Sequence, residues 1–247
     1  MDKQPLLPGM ENYMETDRRF APPVPTLAEG AARYAERIGK THNADQFKGV
    51  GVGPGYHSLF PIVQRQIQSG GAEMTPELAD SYEALRKETR DQFNYLTSPK
   101  DKGGLGIRVE VTQDNPYDRP EDLHADVMKN NRLKVLSTAA TGGHGVFTDE
   151  ENDMFRAVHD AFGHMAIGRN FSREGEEAAY GSHSRMFSDK ALKALTSETR
   201  AQNSYLINAG DFTPNVAFDI PDWAQSLQGS PQQKPSRKRP PAQPTLF

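Results

Sequence analysis

The chain has 247 residues, a formal net charge of −4 and a pI near 6.0, which suits one large domain or two small ones and gives no bulk signal for nucleic-acid binding. It is 35% hydrophobic with mean hydropathy −0.75, polar for a globular protein, but its apolar residues are clustered enough for a core. There is no cysteine, which excludes disulfides, thiolate metal sites and a cysteine nucleophile, so any metal must sit on His, Asp and Glu. No apolar run approaches the roughly 20 residues of a membrane span, and the N-terminus lacks an apolar signal core. The expectation is a protein of the cytoplasm with no membrane partner.

Five prolines within residues 1–25 predict a flexible N-terminal arm. A short helix is expected from Thr26 to about Ile38. Residues 49–57 read as a glycine-rich loop; without a following Gly-Lys-Ser/Thr, and with Pro54 in the turn, a phosphate cradle is the lesser reading. The clearest helix runs Pro76–Leu96. Thr75 caps it, Pro76 suits its first position, and Leu78, Tyr82, Leu85, Phe93 and Leu96 form a stripe. Alternation over Ile107–Val111 predicts a short strand, Asp114–Asp118 a turn, Arg119–Lys129 a helix and Leu133–Leu136 a second strand. After a glycine loop at 142–145, helices are expected over Asp149–Ala166, Glu174–Phe187 and Lys190–Leu206. The fold class expected is α+β, mostly α: one helix-rich domain over 26–225 with a small β element and disordered termini.

Four of the seven histidines, His144, His159, His164 and His183, fall within residues 144–203, among many acidic residues. His159 and His164 lie five apart, roughly 140° around an ideal helix, so they do not share a face unless Gly163 relaxes the last turn. One reading is ordinary buried histidines, with Asp160 and His164 pairing across a turn. The other, preferred because Glu176, Glu177, His183 and Glu198 are near in sequence, is a metal site. Imidazoles and carboxylates suit divalent iron and leave positions open for dioxygen and a co-substrate; with zinc or manganese the same ligands activate water. The HExxH zinc signature is absent, and the lone Glu121–His124 unit does not make a di-iron bundle. Glu176, Tyr180 and His183 share one helix face, as supporting groups, an alternative ligand set or a polar seam. Arg200 and Asn203 are expected to bind an anionic substrate group or orient a ligand, or else to be surface residues. The catalytic candidates are thus Asp160, Glu176, Glu177, His183, Arg200 and Asn203.

The string His159-Asp160-Ala161-Phe162-Gly163-His164, preceded by Phe147-Thr148-Asp149-Glu150 and followed by Thr196-Ser197-Glu198, resembles the catalytic core of the pterin-dependent aromatic amino acid hydroxylases over residues 132–203. The resemblance implies Fe(II) held by His159, His164 and Glu198, with His144 where that family has a cofactor-side histidine. Met165 stands where the family has proline, and Leu195 and Thr196 where it has an aromatic pair; both departures count against a pterin cofactor and an aromatic amino acid substrate. Phe155–His164, Gly175–Phe187 and Thr196–Asn203 also resemble a domain of bacteriophage and mobile-element proteins, which implies phage origin and carries no activity with it.

Residues 226–247 are rich in Pro, Gln, Ser, Lys and Arg and are expected to be a disordered basic tail. Lys234, Arg237, Lys238 and Arg239 form a run suited to phosphates or to plain solvation. The last residues resemble the Gln-x-x-Leu-Phe peptide that docks on the bacterial replicative sliding clamp, through Gln243, Leu246 and Phe247. The reading that follows is a phage-encoded mononuclear non-haem iron hydroxylase acting on a nucleotide or DNA base. The alternatives are a zinc or manganese hydrolase, or a non-enzymatic virion or clamp-binding protein.

Overall fold

Proline sets the starts of four helices, where its missing N–H falls among donors that a helix leaves unpaired in any case. They are α1 (Pro25–Arg37), α2 (Pro54–Gln68), α3 (Pro76–Thr97) and α4 (Pro120–Asn130) in a computed structural model that describes residues 21–227. Thr75 caps α3 by accepting from Leu78 N at 3.2 Å. Strands β1 (Arg108–Thr112) and β2 (Arg132–Leu136) flank α4 and pair in parallel, with Val109 opposite Leu133 and Val111 opposite Val135. The crossover through α4 is what permits parallel pairing of strands so close in sequence. Asn131, at φ 47°, turns the chain from α4 straight into β2.

A capping box between Thr148 and Glu151 starts α5 (Asp149–Val158). The chain then runs through a π-helical segment (His159–Met165), α6 (Arg173–Ser184), α7 (Leu192–Thr196), a second π-helical segment (Ser197–Ala201) and α8 (Gln202–Ala209). The fold is helix-rich α+β, as expected.

Two of the principal buried clusters lie near the first π-helical segment. One gathers Leu27, Leu96, Leu133, Val135 and Val158 with Phe162 and Met165 of the segment itself; the other gathers Leu78, Tyr82, Leu85, Phe147, Phe155, Tyr180 and Phe187. The second reaches the segment through Phe155, which stacks on His159.

Three expectations need correction. Residues 49–57 are not one loop: α2 begins at Pro54, which opens a helix rather than breaking a turn, and Leu59 and Val63 bury its inner face despite Pro61 in its interior. The helix expected over Asp149–Ala166 changes its ladder at His159, and the one expected over Lys190–Leu206 changes at Ser197. Among the described residues no helix is long and apolar enough to cross a membrane. The N-terminal arm up to residue 20, the basic run and the Gln243–Leu246–Phe247 string lie outside the described residues.

Candidate metal centre

The change of ladder at His159 answers the spacing problem. Ala166 N donates to Ala161 O at 2.9 Å, an i to i+5 bond, and in such a wide turn residue i+5 returns to the side of residue i. His159 and His164 accordingly lie together, with ring centroids 5.1 Å apart and ring planes at 86°. Gly163 serves a different purpose from relaxing the helix end. A Cβ there would stand 3.3 Å from Ala179 Cβ, Ala179 O and His159 Cε1, so glycine permits the close approach of α6.

That approach brings Glu176 to the histidine pair. Its Oε2 lies 3.7 Å from His159 Nε2 and its Oε1 3.5 Å from His164 Nε2. Ligand atoms of the three residues all fall within 4.8 Å of one another. Donors each about 2.1 Å from one ion stand roughly 3.0–3.4 Å apart, so the two gaps to Glu176 need only a small contraction around a cation. Asn203 Nδ2 donates to Glu176 Oε2 at 3.0 Å and so orients the carboxylate.

The second nitrogens are tied. His164 Nδ1 lies 3.0 Å from Asn170 O; a carbonyl only accepts, so Nδ1 carries the proton and Nε2 presents its lone pair. Nε2 is buried without a hydrogen-bond partner, since 3.5 Å to Glu176 is too long for a charge-assisted bond. Gly175 makes this possible, because a Cβ there would collide with the Asn170 carbonyl. Arg169 anchors the same turn through Phe47 O, Lys48 O, Val50 O and Glu174 O. His159 Nδ1 faces His183 Nδ1 at 3.3 Å. This is the usual dress of metal-binding imidazoles, with one nitrogen free and the other held by a protein group.

Burial pushes the Glu176 carboxyl up, but His164 and His159 outweigh it and hold it at about 2. Burial pushes His164 down, yet the Glu176 charge prevails and keeps it above its ordinary 6.5. Asp160 lies within electrostatic reach of His164, His159 and Glu176, and burial raises its carboxyl. Phe171 stands edge-on to His164 at 4.6 Å, and Phe155 stacks on His159 at 6.0 Å. Of the three ligand side chains His159 is the most open, 13% exposed against 1% for His164, so the approach from solvent is on its side.

Glu198 does not belong to this group. Its carboxylate is saturated elsewhere: Tyr82 Oη donates to Oε1, and His144 Nε2 and Gln202 Nε2 reach Oε2 at 3.0 and 2.8 Å. His144 Nδ1 accepts from Val146 N and Phe147 N, so its proton is on Nε2 and it serves Glu198, not a cofactor. The third ligand suggested by the hydroxylase resemblance is therefore replaced by Glu176 from α6. The i to i+5 ladder of the second π-helical segment belongs to the stretch that carries both Glu198 and Arg200.

Glu177 and Arg200 hold each other. Arg200 Nε and Nη2 meet the two Glu177 oxygens at 2.7 and 2.5 Å, and Nη1 donates to Ala224 O and Ser226 O. With both side chains 1% exposed or less, Arg200 is committed to Glu177 and to the chain at 224–226, leaving no fork for a substrate anion. Tyr180 Oη likewise bonds Thr196 Oγ1 and donates to Gln225 O. Of the sequence-based candidates the structure gathers His159, His164, Glu176, Asn203, His183 and Asp160, and sets Glu177, Arg200, His144 and Glu198 apart in structural networks. Tyr82, read only as part of the apolar stripe of α3, Gln202, read only within the Thr196–Asn203 string, and Asn170 were not foreseen as partners of these side chains. Compared with family models, curated proteins and solved structures, the chain finds no match.

Proposed function

We propose that this chain is a mononuclear metalloenzyme whose ion sits on His159, His164 and Glu176, with ferrous-dependent hydroxylation as its chemistry. One observation carries the reading: an imidazole nitrogen with its lone pair free, buried and without a hydrogen-bond partner, converges with a second imidazole and a carboxylate. Two histidines and one carboxylate leave coordination positions open, the arrangement suited to non-haem Fe(II). A ferrous ion bound there supplies activation of dioxygen. The chain supplies the rest. Asn203 orients the carboxylate, Phe155 and Phe171 cover the two imidazoles, and Asp160, next in the chain to His159 and within electrostatic reach of all three ligands, is the group available to hold a proton. The Gln243–Leu246–Phe247 string supports a nucleotide or DNA base as substrate and a sliding clamp as partner.

Asp160 also favours a second reading. A carboxyl raised by burial beside a metal site is the general base that a zinc or manganese hydrolase needs. Metal content after anaerobic reconstitution separates the two. A single iron per chain, absent from His159→Ala/His164→Ala, supports the hydroxylase and leads to an oxygen-consumption screen. Zinc or manganese selected over iron moves the assignment to hydrolysis. No bound metal in the wild type refutes both.

A further inference from the structure

Gln92 sits in the interior of α3, fully buried, in no motif and remote in sequence from every ligand. Its amide can point only one way. Nε2 donates to Met186 O at 2.9 Å, and a carbonyl accepts only from an N–H. Oε1 therefore faces His183 Nε2, also at 2.9 Å, and that nitrogen must carry a proton. His183 is completely buried, its nitrogens meet an amide oxygen and another imidazole, and among the described residues no carboxylate bonds it to offset a charge, so the ring is neutral. A neutral ring protonated on Nε2 offers a lone pair on Nδ1. The group facing that lone pair is His159 Nδ1, at 3.3 Å, which must then be the donor. His159 is left with its Nε2 lone pair on the side of Glu176, where an ion would sit.

We propose that Gln92 is a positioning residue of the metal centre: acting through His183, it fixes the tautomer of His159 and so delivers Nε2 to the ion. This rests on the metal-centre reading above. It also gives His183 a definite task, as the intermediate in a chain of three side chains whose direction is set by one backbone carbonyl. His164 is fixed by an independent device, the Asn170 carbonyl, so the two ligands are oriented separately.

The test uses the full chain, Zn(II) and Co(II) as probe ions, and the variants Gln92→Leu and Gln92→Glu. Binding is measured by competition with a chelator, and the protonated nitrogen of His159 by 15N NMR of histidine-labelled, metal-free protein. Loss of an outer partner of a ligand histidine typically weakens binding roughly 10- to 100-fold. Gln92→Leu is expected to show that loss, an altered Co(II) spectrum and mixed His159 tautomers. Gln92→Glu places a carboxylate against His183 Nε2, which favours a charged ring that donates from Nδ1 as well and so turns His159 Nδ1 into the acceptor; it is expected to shift the His159 proton to Nε2 and to weaken binding. If Gln92→Leu does not fold, Gln92→Glu carries the test: wild-type affinity with an unchanged His159 tautomer overturns the proposal. Equal affinity and an unchanged 15N spectrum in Gln92→Leu reduce Gln92 to a core residue and overturn the proposal alone. Failure of the wild type to bind either ion overturns the metal-centre reading beneath it.

Discussion

Exchanging single oxygens at Glu176 and Glu198 decides which carboxylate serves the metal. Glu176→Gln preserves shape and an acceptor for Asn203 Nδ2 but removes the anionic ligand between His159 and His164. Losing even an outer partner of a metal ligand costs roughly 10- to 100-fold in affinity. Loss of the ligand charge itself is expected at or beyond the upper end, about 2.8 kcal/mol or more at 1.4 kcal/mol per tenfold. Glu198→Gln acts differently. Tyr82, His144 and Gln202 all donate to that carboxylate, so an NH2 group introduced there either faces the His144 and Gln202 donors or turns the Tyr82 hydroxyl away to Ser197. Its expected cost is about 1–3 kcal/mol of folding stability with metal affinity unchanged. Chelator competition reads the first effect and urea denaturation of the metal-free protein the second. Metal loss in Glu198→Gln together with tight binding in Glu176→Gln would refute the assignment of Glu176 and return the site to the ligand set suggested by the hydroxylase resemblance.

Arg200→Met strands the Glu177 carboxylate in the interior and is expected to cost about 3–5 kcal/mol in urea denaturation, most of it recovered by Arg200→Met/Glu177→Leu; a single variant within 1 kcal/mol of wild type contradicts the buried pair. Stability should depend on pH in two opposite ways. His164 is raised, so its contribution is complete below 6.5 and is lost as pH climbs through the folded value. Glu176 is depressed, so its contribution is complete above 4.5 and is lost as pH falls toward about 2. Metal-free protein should therefore be most stabilised by this pair between 4.5 and 6.5, whereas stabilisation by Zn(II) should grow as pH climbs through the raised folded value of His164. Urea midpoints with and without Zn(II) test this, and a larger metal effect at pH 5 than at pH 8 refutes it. Gly163→Ala sets overpacking of about 1–3 kcal/mol against a helix-propensity gain of about 1 kcal/mol. Its new methyl meets His159 Cε1, so metal affinity should fall about tenfold while the urea midpoint moves little; unchanged affinity shows that His159 yields freely.

Local rules made much of the scaffold readable. Thr75 and the stripe from Leu78 to Leu96 announce α3, and the alternating runs around Val109 and Val135 announce the strands. α2 is hidden because Pro54 and Pro61 look like breakers, whereas Pro54 opens the helix and Leu59 and Val63 supply burial that single-residue preferences do not count. The histidine pair is visible as a cluster, yet its geometry is not. A ladder that shifts from i+4 to i+5 has no residue-type signature, and only the packing of Phe162 and Met165 on one side and Ala179 on the other selects it. Helical periodicity places Glu176, Tyr180 and His183 on one face. Which carboxylate crosses to His159 depends on how α6 meets the π-helical segment, a long-range outcome that sequence spacing cannot rank. Gln92 illustrates the limit, since its meaning lies wholly in the direction of two hydrogen bonds made far along the chain.

The wide turn at His159–Met165 has a consequence for how an ion would enter. Val158, Ala161, Phe162 and Met165 are all fully buried on the core side of this stretch. Reverting to a regular α-helix would rotate everything beyond the turn by about 100°, carrying Phe162 or Met165 out toward water. Core packing, rather than any bound cation, therefore maintains the turn, and the ligand frame is preorganised before loading. Uptake should then proceed without a coupled folding step, at a rate set by stripping water from the ion.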